Sequence, residues 1–226
     1  MGINYEKFHR ALELRPDTAM ALFYLGDVAL DSGDKTSALK YFTQALERDA
    51  MLPGPRYRLG QYAIERGEFE KAKTFLTSEI KLASDDADVL VSMASMFLVI
   101  AGEMDEEEKE DSLDCAAHCL LRALDIDSHD ADAHYYLGLA NAIKGRLEDA
   151  IEFFTCAMEI SPQHVLAIRD SAVVYLAMNR LKEATETLER GTLIVGDHQQ
   201  LKDVRRKVRR SQITKQLADL FGHKKD

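Results

Sequence analysis

Apolar residues recur at helical spacing along the chain, and the block at positions 131–164 shows the pattern in full. It reads ADAHYYLGLANAIKGRLEDAIEFFTCAMEISPQH and contains two helical patterns separated by one tight turn. Gly145 fits the end of the first helix, because glycine adopts the left-handed conformation at little cost. Pro162 ends the second helix, because the residue before a proline avoids helical angles. The apolar stripe of the second helix consists of Ala150, Ile151, Phe154, Ala157 and Met158.

Small residues in this block predict that its two helices approach each other closely. Gly138 lies in the middle of the first helix, where glycine costs roughly 1 kcal/mol relative to alanine. Close approach of a second helix compensates for this cost, and Ala150 supplies the matching small side chain. A helix pair this short cannot bury its apolar face alone, so neighbouring pairs must stack on it.

The same spacing of small and apolar residues recurs five times along the chain, which predicts five helix pairs. The recurring small residue of the second helix is Ala38, Ala72, Ala116, Ala150 and Ala184. The corresponding blocks are residues 19–52, 53–86, 87–130, 131–164 and 165–198. Residues 1–18 match a second helix that has no first helix, either a natural cap or the start of a chain cut from a longer array. In the second block Pro53-Gly54-Pro55 should delay the first helix, and Glu79 replaces a small residue.

The block 131–164 resembles a tetratricopeptide repeat. The signature positions of that family are occupied by Leu137, Gly138, Ala150, Phe154, Ala157 and Pro162. Two positions depart from the family, His134 and Asn141, where large aromatic residues are preferred. The resemblance implies an all-α fold, an α-solenoid in which antiparallel helix pairs stack into a right-handed superhelix, closed here by a C-terminal capping helix.

The third block carries an acidic insertion between its two helices. Residues 102–112 read GEMDEEEKEDS, with seven acidic residues and one lysine. We expect a solvated, mobile and dispensable loop, because such a segment cannot offset its ordering entropy. A docking strip for a basic partner and a divalent-cation site are the alternatives, although the run lacks the alternating order of a calcium loop.

The last segment, residues 199–226, predicts one long basic helix. Residues 201–226 carry a net charge of +6 and the remainder −16, counting Lys and Arg against Asp and Glu. A first apolar stripe, Leu201, Val204 and Val208, favours a cap on the fifth block. A second stripe, Ile213, Leu217 and Leu220, suggests a homodimer contact. The basic cluster Arg205, Arg206, Lys207, Arg209 and Arg210 offers an alternative, a footprint for nucleic acid or acidic lipid.

Composition narrows the class of protein. With 46% hydrophobic and 30% charged residues among 226, the chain can bury a core and is not a disordered sequence. It has no apolar run of the ~18 residues that span a bilayer, and MGINYEKFHR lacks a signal-peptide core. Glu6 stands where a myristoylation signal needs Ser or Thr. Together with only three cysteines, these features favour a cytoplasmic location.

No catalytic constellation is present in the sequence. It contains no phosphate-binding glycine loop, nucleophile elbow or metalloprotease motif, so we expect neither an enzyme nor a cofactor. Cys115, His118 and Cys119 share one helix face, and Cys156 lies on the corresponding helix of the next block. Their side chains suit a soft metal. The preferred interpretation is that these cysteines are small packing residues, so we expect no metal site.

The resemblance implies a protein-interaction scaffold whose first helices line a concave groove for a peptide or partner helix. Carried over by phase, the groove residues are Phe23, Asp27, Tyr57, Arg58, Gln61, Val91, Ser95, Tyr135, Leu139 and Arg169. Tyrosine and arginine are common at binding hot spots, so we expect a partner with apolar and acidic residues and no small-molecule substrate. One alternative is an accessory domain of a larger enzyme. The other is a basic-helix adaptor, which binds nucleic acid or acidic lipid through the basic cluster of the last segment. Arg58 and Arg169 could also pair with Asp27 and Asp170.

Overall fold

The computed structural model describes residues 18–82 and 86–222, with side chains as far as 215. In this part the chain forms eleven α-helices and no strand, which confirms the all-α prediction. The helices are α1 (Ala19–Asp31), α2 (Lys35–Arg48), α3 (Pro55–Glu65), α4 (Phe69–Ile80), α5 (Ala87–Ala101), α6 (Glu106–Ile126), α7 (Ala131–Ile143), α8 (Leu147–Ile160), α9 (Val165–Ala177), α10 (Leu181–Val195) and α11 (Gln199–Gly222). The helix predicted for residues 1–18 lies, apart from its last residue, outside the described residues.

The chain divides into two compact units, residues 1–119 and 120–226, with the boundary inside α6. Unit 1 holds α1 to α5 and the first part of α6, and unit 2 holds the rest of α6 and α7 to α11. We call α1, α3, α5, α7 and α9 the first helices, and α2, α4, α6, α8 and α10 the second helices. Within the units, α1, α3, α7 and α9 each pack against the second helix that follows.

Short polar residues and glycines set the helix boundaries. The side chain of Thr18 accepts a hydrogen bond from the amide of Ala21, and the side chain of Asp130 accepts one from Ala133, so each caps a helix N-terminus. Gly145 has φ +75° after α7, which confirms the predicted left-handed position. Asn179 takes this conformation after α9, with φ +59°. Asparagine is one of the few other residues that tolerate it.

Small residues allow the close helix contacts that the sequence predicts. The five recurring alanines are all at most 1% exposed. A Cβ atom added at Gly138 would lie 2.6 Å from the ring of Phe154 and 3.1 Å from the carbonyl oxygen of Ala150. The glycine in α7 is therefore required by the approach of α8, as predicted.

The second block departs from the pattern in a way that the structure explains. Helix α3 begins at Pro55 and has 11 residues, which confirms the delay predicted from Pro53-Gly54-Pro55. Gly54, with φ +107°, has no side chain to cap this helix. Glu79, which belongs to α4, caps α3 instead, because its Oε1 accepts a hydrogen bond from the Gly54 amide at 2.5 Å. Burial raises the pKa of the Glu79 carboxyl, and the Gly54 amide opposes this effect.

The expectation of a mobile loop at residues 102–112 is wrong from Glu106 onward. These residues form the first turns of α6, which has 21 residues against 12 to 15 in the other second helices. Acidic residues stabilise a helix N-terminus, and the Asp105 carboxylate accepts hydrogen bonds from two amides of the first turn. Lys73 of α4 forms an ion pair with Asp111 at 2.8 Å, and Ser112 is fully buried. Residues 106–112 are therefore helical and contact α4, and whether the insertion is dispensable stays a prediction.

The last helix, α11, packs by its first apolar stripe. Leu201, Val204 and Val208 are at most 5% exposed, and they form one core cluster with Ile168, Ala172, Ala184 and Leu188. Their burial covers apolar surface of α9 and α10. Ile213 of the second stripe is 47% exposed. Leu217 and Leu220 lie outside the described side chains, so a homodimer through this stripe remains a prediction.

Candidate binding face on the first helices

The residues predicted to line a groove lie on the first helices, and they differ in exposure. Asp27, Val91 and Tyr135 are buried, at 4%, 8% and 4% exposure. The other residues of the set are half-buried, namely Phe23, Tyr57, Arg58, Gln61, Ser95, Leu139 and Arg169. Residues 23 to 95 of the set belong to unit 1, and residues 135 to 169 belong to unit 2.

In unit 1, a polar network joins α1 to α3. The Arg58 guanidinium donates to both carboxylate oxygens of Asp27, from Nε at 2.9 Å and from Nη2 at 3.4 Å. Its Nη1 donates to Gln61, and the Gln61 amide donates to the hydroxyl of Tyr57 at 3.3 Å. The guanidinium carbon also lies 5.4 Å from the centre of the Tyr57 ring. Arg58 therefore serves to connect neighbouring blocks, which agrees with the alternative interpretation of this arginine.

Next to this network, a surface pocket of about 330 Å³ lies between α3 and α5. It is lined by Tyr57, Gln61, Ile64, Glu65, Ser92, Ser95 and Met96. Three residues predicted for the groove, Tyr57, Gln61 and Ser95, thus line one pocket. The other four lining residues, Ile64, Glu65, Ser92 and Met96, were not predicted. Ile64, Glu65 and Ser92 could have been found, because they lie three or four positions from Gln61 or Ser95 and so share a helix face with them.

Two other residues predicted for this face of unit 1 contribute to packing. The Phe23 ring lies 5.9 Å from the ring of Phe42, between centroids. A Cβ atom added at Gly54 would lie 2.7 Å from the Phe23 ring. Val91 is 8% exposed in α5. Phe23 and Val91 therefore offer a partner little of their side-chain surface.

In unit 2, the hydroxyl of Tyr135 in α7 donates a 2.9 Å hydrogen bond to Asp170 in α9. Arg169 donates to the same carboxylate through Nε and Nη2, both at 2.7 Å. The hydrogen bonds to Asp170 raise the pKa of the Arg169 guanidinium. Burial, with the nearby Asp170 charge, raises the pKa of Tyr135. The expectation that Tyr135 offers a large contact surface to a partner is wrong, because its ring is buried and its hydroxyl is engaged.

His164 completes this cluster in unit 2. Its Nδ1 accepts a hydrogen bond from the Ala167 amide and so caps α9, which fixes the neutral tautomer with the proton on Nε2. Nε2 lies 2.9 Å from a carboxylate oxygen of Asp132. The imidazole centroid is 4.8 Å from the centroid of the Tyr135 ring. These contacts make the cluster a structural link between α7 and α9.

The basic cluster on α11 is exposed at all five positions. Arg205 donates a hydrogen bond to the hydroxyl of Thr192, and Arg206 pairs with Asp203 at 3.2 Å. Lys207, Arg209 and Arg210 face solvent more freely. The cluster thus keeps part of its charge available at the surface.

Within residues 18–82 and 86–222, no group of three or more His, Cys, Asp or Glu side chains is placed to hold a metal ion. Cys119 is buried and Cys115 half-buried, and burial raises the pKa of the Cys115 thiol. None of the described helices is both long enough and apolar enough to cross a membrane.

Comparison with protein-family models identifies the repeated unit. Models described as tetratricopeptide repeat match residues 6–53, 108–165 and 141–208. The chain belongs to the tetratricopeptide repeat family. The matched residues include all of the block 131–164 and all of the fifth block, 165–198. A search of the curated proteins found no match.

Solved structures of tetratricopeptide repeat proteins share the fold. One is YrrB, described as having an unusual peptide-binding site, with TM-score 0.69, 21% identity, and coverage of 88% of this chain and 97% of that one. MamA from Desulfovibrio magneticus RS-1 has TM-score 0.64 and 20% identity, with coverage of 84% and 97%. A thermophilic tetratricopeptide repeat protein of Thermus thermophilus has TM-score 0.57 and 19% identity, with coverage of 87% and 100%. At these identities the likeness concerns the fold.

Proposed function

We propose that this chain is a protein-interaction scaffold that binds a peptide or helix of a partner on the first helices of unit 1. The pocket between α3 and α5 carries the proposal, because Tyr57, Gln61 and Ser95, predicted from the sequence, line it together. The fold agrees, since repeat proteins of this kind use stacked helices to present extended binding surfaces. YrrB, whose fold is similar, is described as having a peptide-binding site.

The lining of the pocket indicates what the partner presents. Ile64, Met96 and the ring of Tyr57 supply apolar surface, and methionine adapts its shape to different ligands. The Gln61 amide and the Ser95 hydroxyl lie beside this surface and can bind main-chain groups of a peptide. The partner therefore inserts an apolar side chain and pairs its backbone with these two residues. An acidic residue is no longer required, because Arg58 and Arg169 are bound to Asp27 and Asp170.

Peptide selection followed by a pocket-filling variant tests the proposal. Random peptides displayed on phage are selected on the whole chain, and the affinity of the enriched peptides is measured by fluorescence anisotropy. Ser95→Arg places a long side chain over the pocket without changing the Arg58–Asp27 pair, so we expect roughly tenfold weaker binding or worse. Replacing Arg58 or Tyr135 would be a poor test, because both hold the helices together.

The matched control is Lys182→Ala, at an exposed position on α10 of unit 2. We expect this variant to bind the selected peptides as the wild type does, and both variants to keep the wild-type helical circular dichroism. If Ser95→Arg keeps full affinity for every selected peptide, the pocket between α3 and α5 is not the binding site.

The basic-helix adaptor is a second candidate, and the exposure of Lys207, Arg209 and Arg210 favours it. Affinity for DNA or for anionic vesicles would then fall steeply as salt is added. Binding that is absent at low salt would exclude this function. A role as an accessory domain of a larger enzyme, and the cytoplasmic location, remain predictions from the sequence.

A further inference from the structure

The fifth block of the chain has small residues at two positions that are larger elsewhere. Ser171 in α9 stands where the other first helices carry Leu25, Leu59, Met93 and Leu137. Gly191 in α10 stands where the second helices of the first and fourth blocks carry Ala45 and Ala157. Both lie in unit 2 at a pocket of about 530 Å³ between α8, α9 and α10. Pockets that hold small ligands typically measure about 300–1,000 Å³.

The wall of this pocket, which we call the α8–α10 pocket, combines apolar and polar side chains in about equal measure. Its apolar lining consists of Met158, Pro162, Ile168, Tyr175 and Ile194. Ile194 is 47% exposed, and its neighbour Leu193 is 87% exposed. Clustered exposed aliphatic side chains beside an open pocket are typical of a binding surface.

One polar group in the pocket lining has no partner. The Ser171 hydroxyl is buried, with the residue 1% exposed, and forms no hydrogen bond with any described residue. Buried hydroxyls are normally paired, because an unpaired one loses its hydrogen bonds to water without replacement. The hydroxyl is closed to water in this structure, so a ligand with a hydrogen-bonding group at its tip would satisfy Ser171 by displacing the side chains that cover it.

Two charged residues line the pocket from opposite helices, Glu159 from α8 and Arg190 from α10. Both are exposed, and neither forms an ion pair with a described residue. The guanidinium can bind a carboxylate through two parallel hydrogen bonds. The α10 side of the pocket thus suits an acidic group, and the α8 side suits a donor such as a backbone amide.

We propose that the α8–α10 pocket binds a tyrosine side chain of a partner protein, with an acidic residue beside it. The tyrosine ring packs between Met158 and Ile168, its hydroxyl pairs with Ser171, and the adjacent carboxylate pairs with Arg190. Tyrosine combines an apolar body with a polar tip, whereas leucine or phenylalanine would leave the Ser171 hydroxyl unpaired. This site is separate from the pocket between α3 and α5. A failed test of either site therefore leaves the proposal for the other unaffected.

The first test compares p-cresol, which is the tyrosine side chain, with toluene, which is the phenylalanine side chain. Binding to the whole chain is followed by NMR of the methyl groups of Met158, Ile168 and Ile194. We expect p-cresol to shift these methyl resonances and to bind roughly threefold to tenfold more tightly than toluene, the effect of one net hydrogen bond. Toluene binding as tightly as p-cresol, or no shift with either probe, would overturn the proposal.

Two variants at Ser171 then distinguish the effect of its hydroxyl from the effect of the space that its small side chain leaves. Ser171→Leu restores the residue type of the other blocks, so it should keep or raise the melting temperature while it abolishes the binding of p-cresol. Ser171→Ala keeps the space and removes the hydroxyl, so p-cresol should lose its advantage over toluene. Unchanged p-cresol affinity in Ser171→Ala would refute the role of the hydroxyl, whatever the behaviour of Ser171→Leu.

The role of Arg190 is tested with 3-(4-hydroxyphenyl)propionate, which adds a carboxylate to the p-cresol group. We expect it to bind the wild type more tightly than p-cresol, and Arg190→Gln to remove this difference without changing p-cresol binding. If the two compounds bind the wild type equally, no acidic residue belongs beside the tyrosine, and the proposal fails in that part.

Discussion

Both units hold an arginine on their first helices, but the arginine connects different elements in each. In unit 1, Arg58 of α3 reaches back to Asp27 of α1, so the ion pair itself joins two blocks. In unit 2, Arg169 binds Asp170, the next residue in the chain. There the blocks are connected by the Tyr135 hydroxyl, which donates to Asp170, and by His164, which caps α9 and contacts Asp132.

The difference shows that the same residue type, at positions one residue apart in the repeat, has two structural roles. Arg58 is followed in the sequence by Leu59, so the nearest available carboxylate belongs to another helix. Arg169 is followed by Asp170, which takes up its guanidinium locally. The arginine therefore forms the contact between blocks in unit 1, whereas a tyrosine hydroxyl and a histidine form it in unit 2.

The largest expected effect comes from replacing each arginine with alanine. Arg58→Ala deprives Asp27, whose side chain is 5% exposed, of its arginine partner. We expect a loss of about 2–3 kcal/mol in the free energy of unfolding of unit 1. Arg169→Ala should cost about 1 kcal/mol, because Asp170 is more exposed and still accepts from Tyr135.

Hydrogen exchange measured by mass spectrometry resolves the two units, because local opening reports the stability of each segment. Protection should fall in α1 and α3 for Arg58→Ala, and to a smaller extent in α7 and α9 for Arg169→Ala. Equal losses in the two variants would contradict the distinction between the units.

An intermediate effect is expected from removing one hydroxyl in each unit. Tyr135→Phe deletes the hydrogen bond between α7 and α9 and should cost about 1–2 kcal/mol, because the hydroxyl is buried and bound to a carboxylate. Tyr57→Phe deletes only a 3.3 Å contact to Gln61 on a half-buried surface, so it should cost under about 0.5 kcal/mol. Urea denaturation of the two variants measures both losses, and the reverse order would show that the connection in unit 2 is not the Tyr135 hydroxyl.

The smallest effect concerns Glu79, a buried carboxyl of unit 1 at a position where unit 2 has Ala157. Burial raises its pKa in the folded chain, so folding favours the protonated form. The stability that this carboxyl contributes is present below pH 4.5, which is near its pKa in the unfolded chain. It is lost as the pH rises through the raised pKa of the folded chain. We expect Glu79→Gln to reduce this loss by under about 1 kcal/mol.

The control for this pH dependence is Glu186→Gln, at a position with an exposed side chain on α10. Melting temperatures between pH 4.5 and 8 should decline less steeply for Glu79→Gln than for wild type, and Glu186→Gln should follow the wild type. A steeper decline in Glu79→Gln would mean that the ionised carboxylate stabilises α3 more than its burial costs.

The repeated architecture could be predicted from the sequence because small residues at fixed spacing leave few ways to pack. The buried alanines and the close contact at Gly138 follow directly from that spacing. The first turns of α6 could not be predicted from composition, because a highly acidic run also fits a loop. Their helical state depends on the Asp105 cap and on Lys73 of another helix.

The candidate site was less predictable than the fold, because exposure depends on neighbouring helices. Tyr57 and Tyr135 look alike in the sequence, yet one lines a surface pocket and the other is buried against Asp170. Glu79 looked like a weakened repeat position, and its role as a cap for α3 requires the contact with Gly54. Such contacts between separate helices leave no periodic signal in the sequence.

Methyl NMR of a selected peptide bound to the whole chain tests the central claim most directly. If a partner segment inserts an apolar side chain between α3 and α5, the methyl resonances of Ile64 and Met96 shift and show contacts to the peptide. The methyl groups of Ile151 and Val208 in unit 2, which line neither proposed pocket, then serve as internal controls and stay unchanged. Peptide contacts confined to unit 2, with Ile64 and Met96 unaffected, would contradict the proposed binding site.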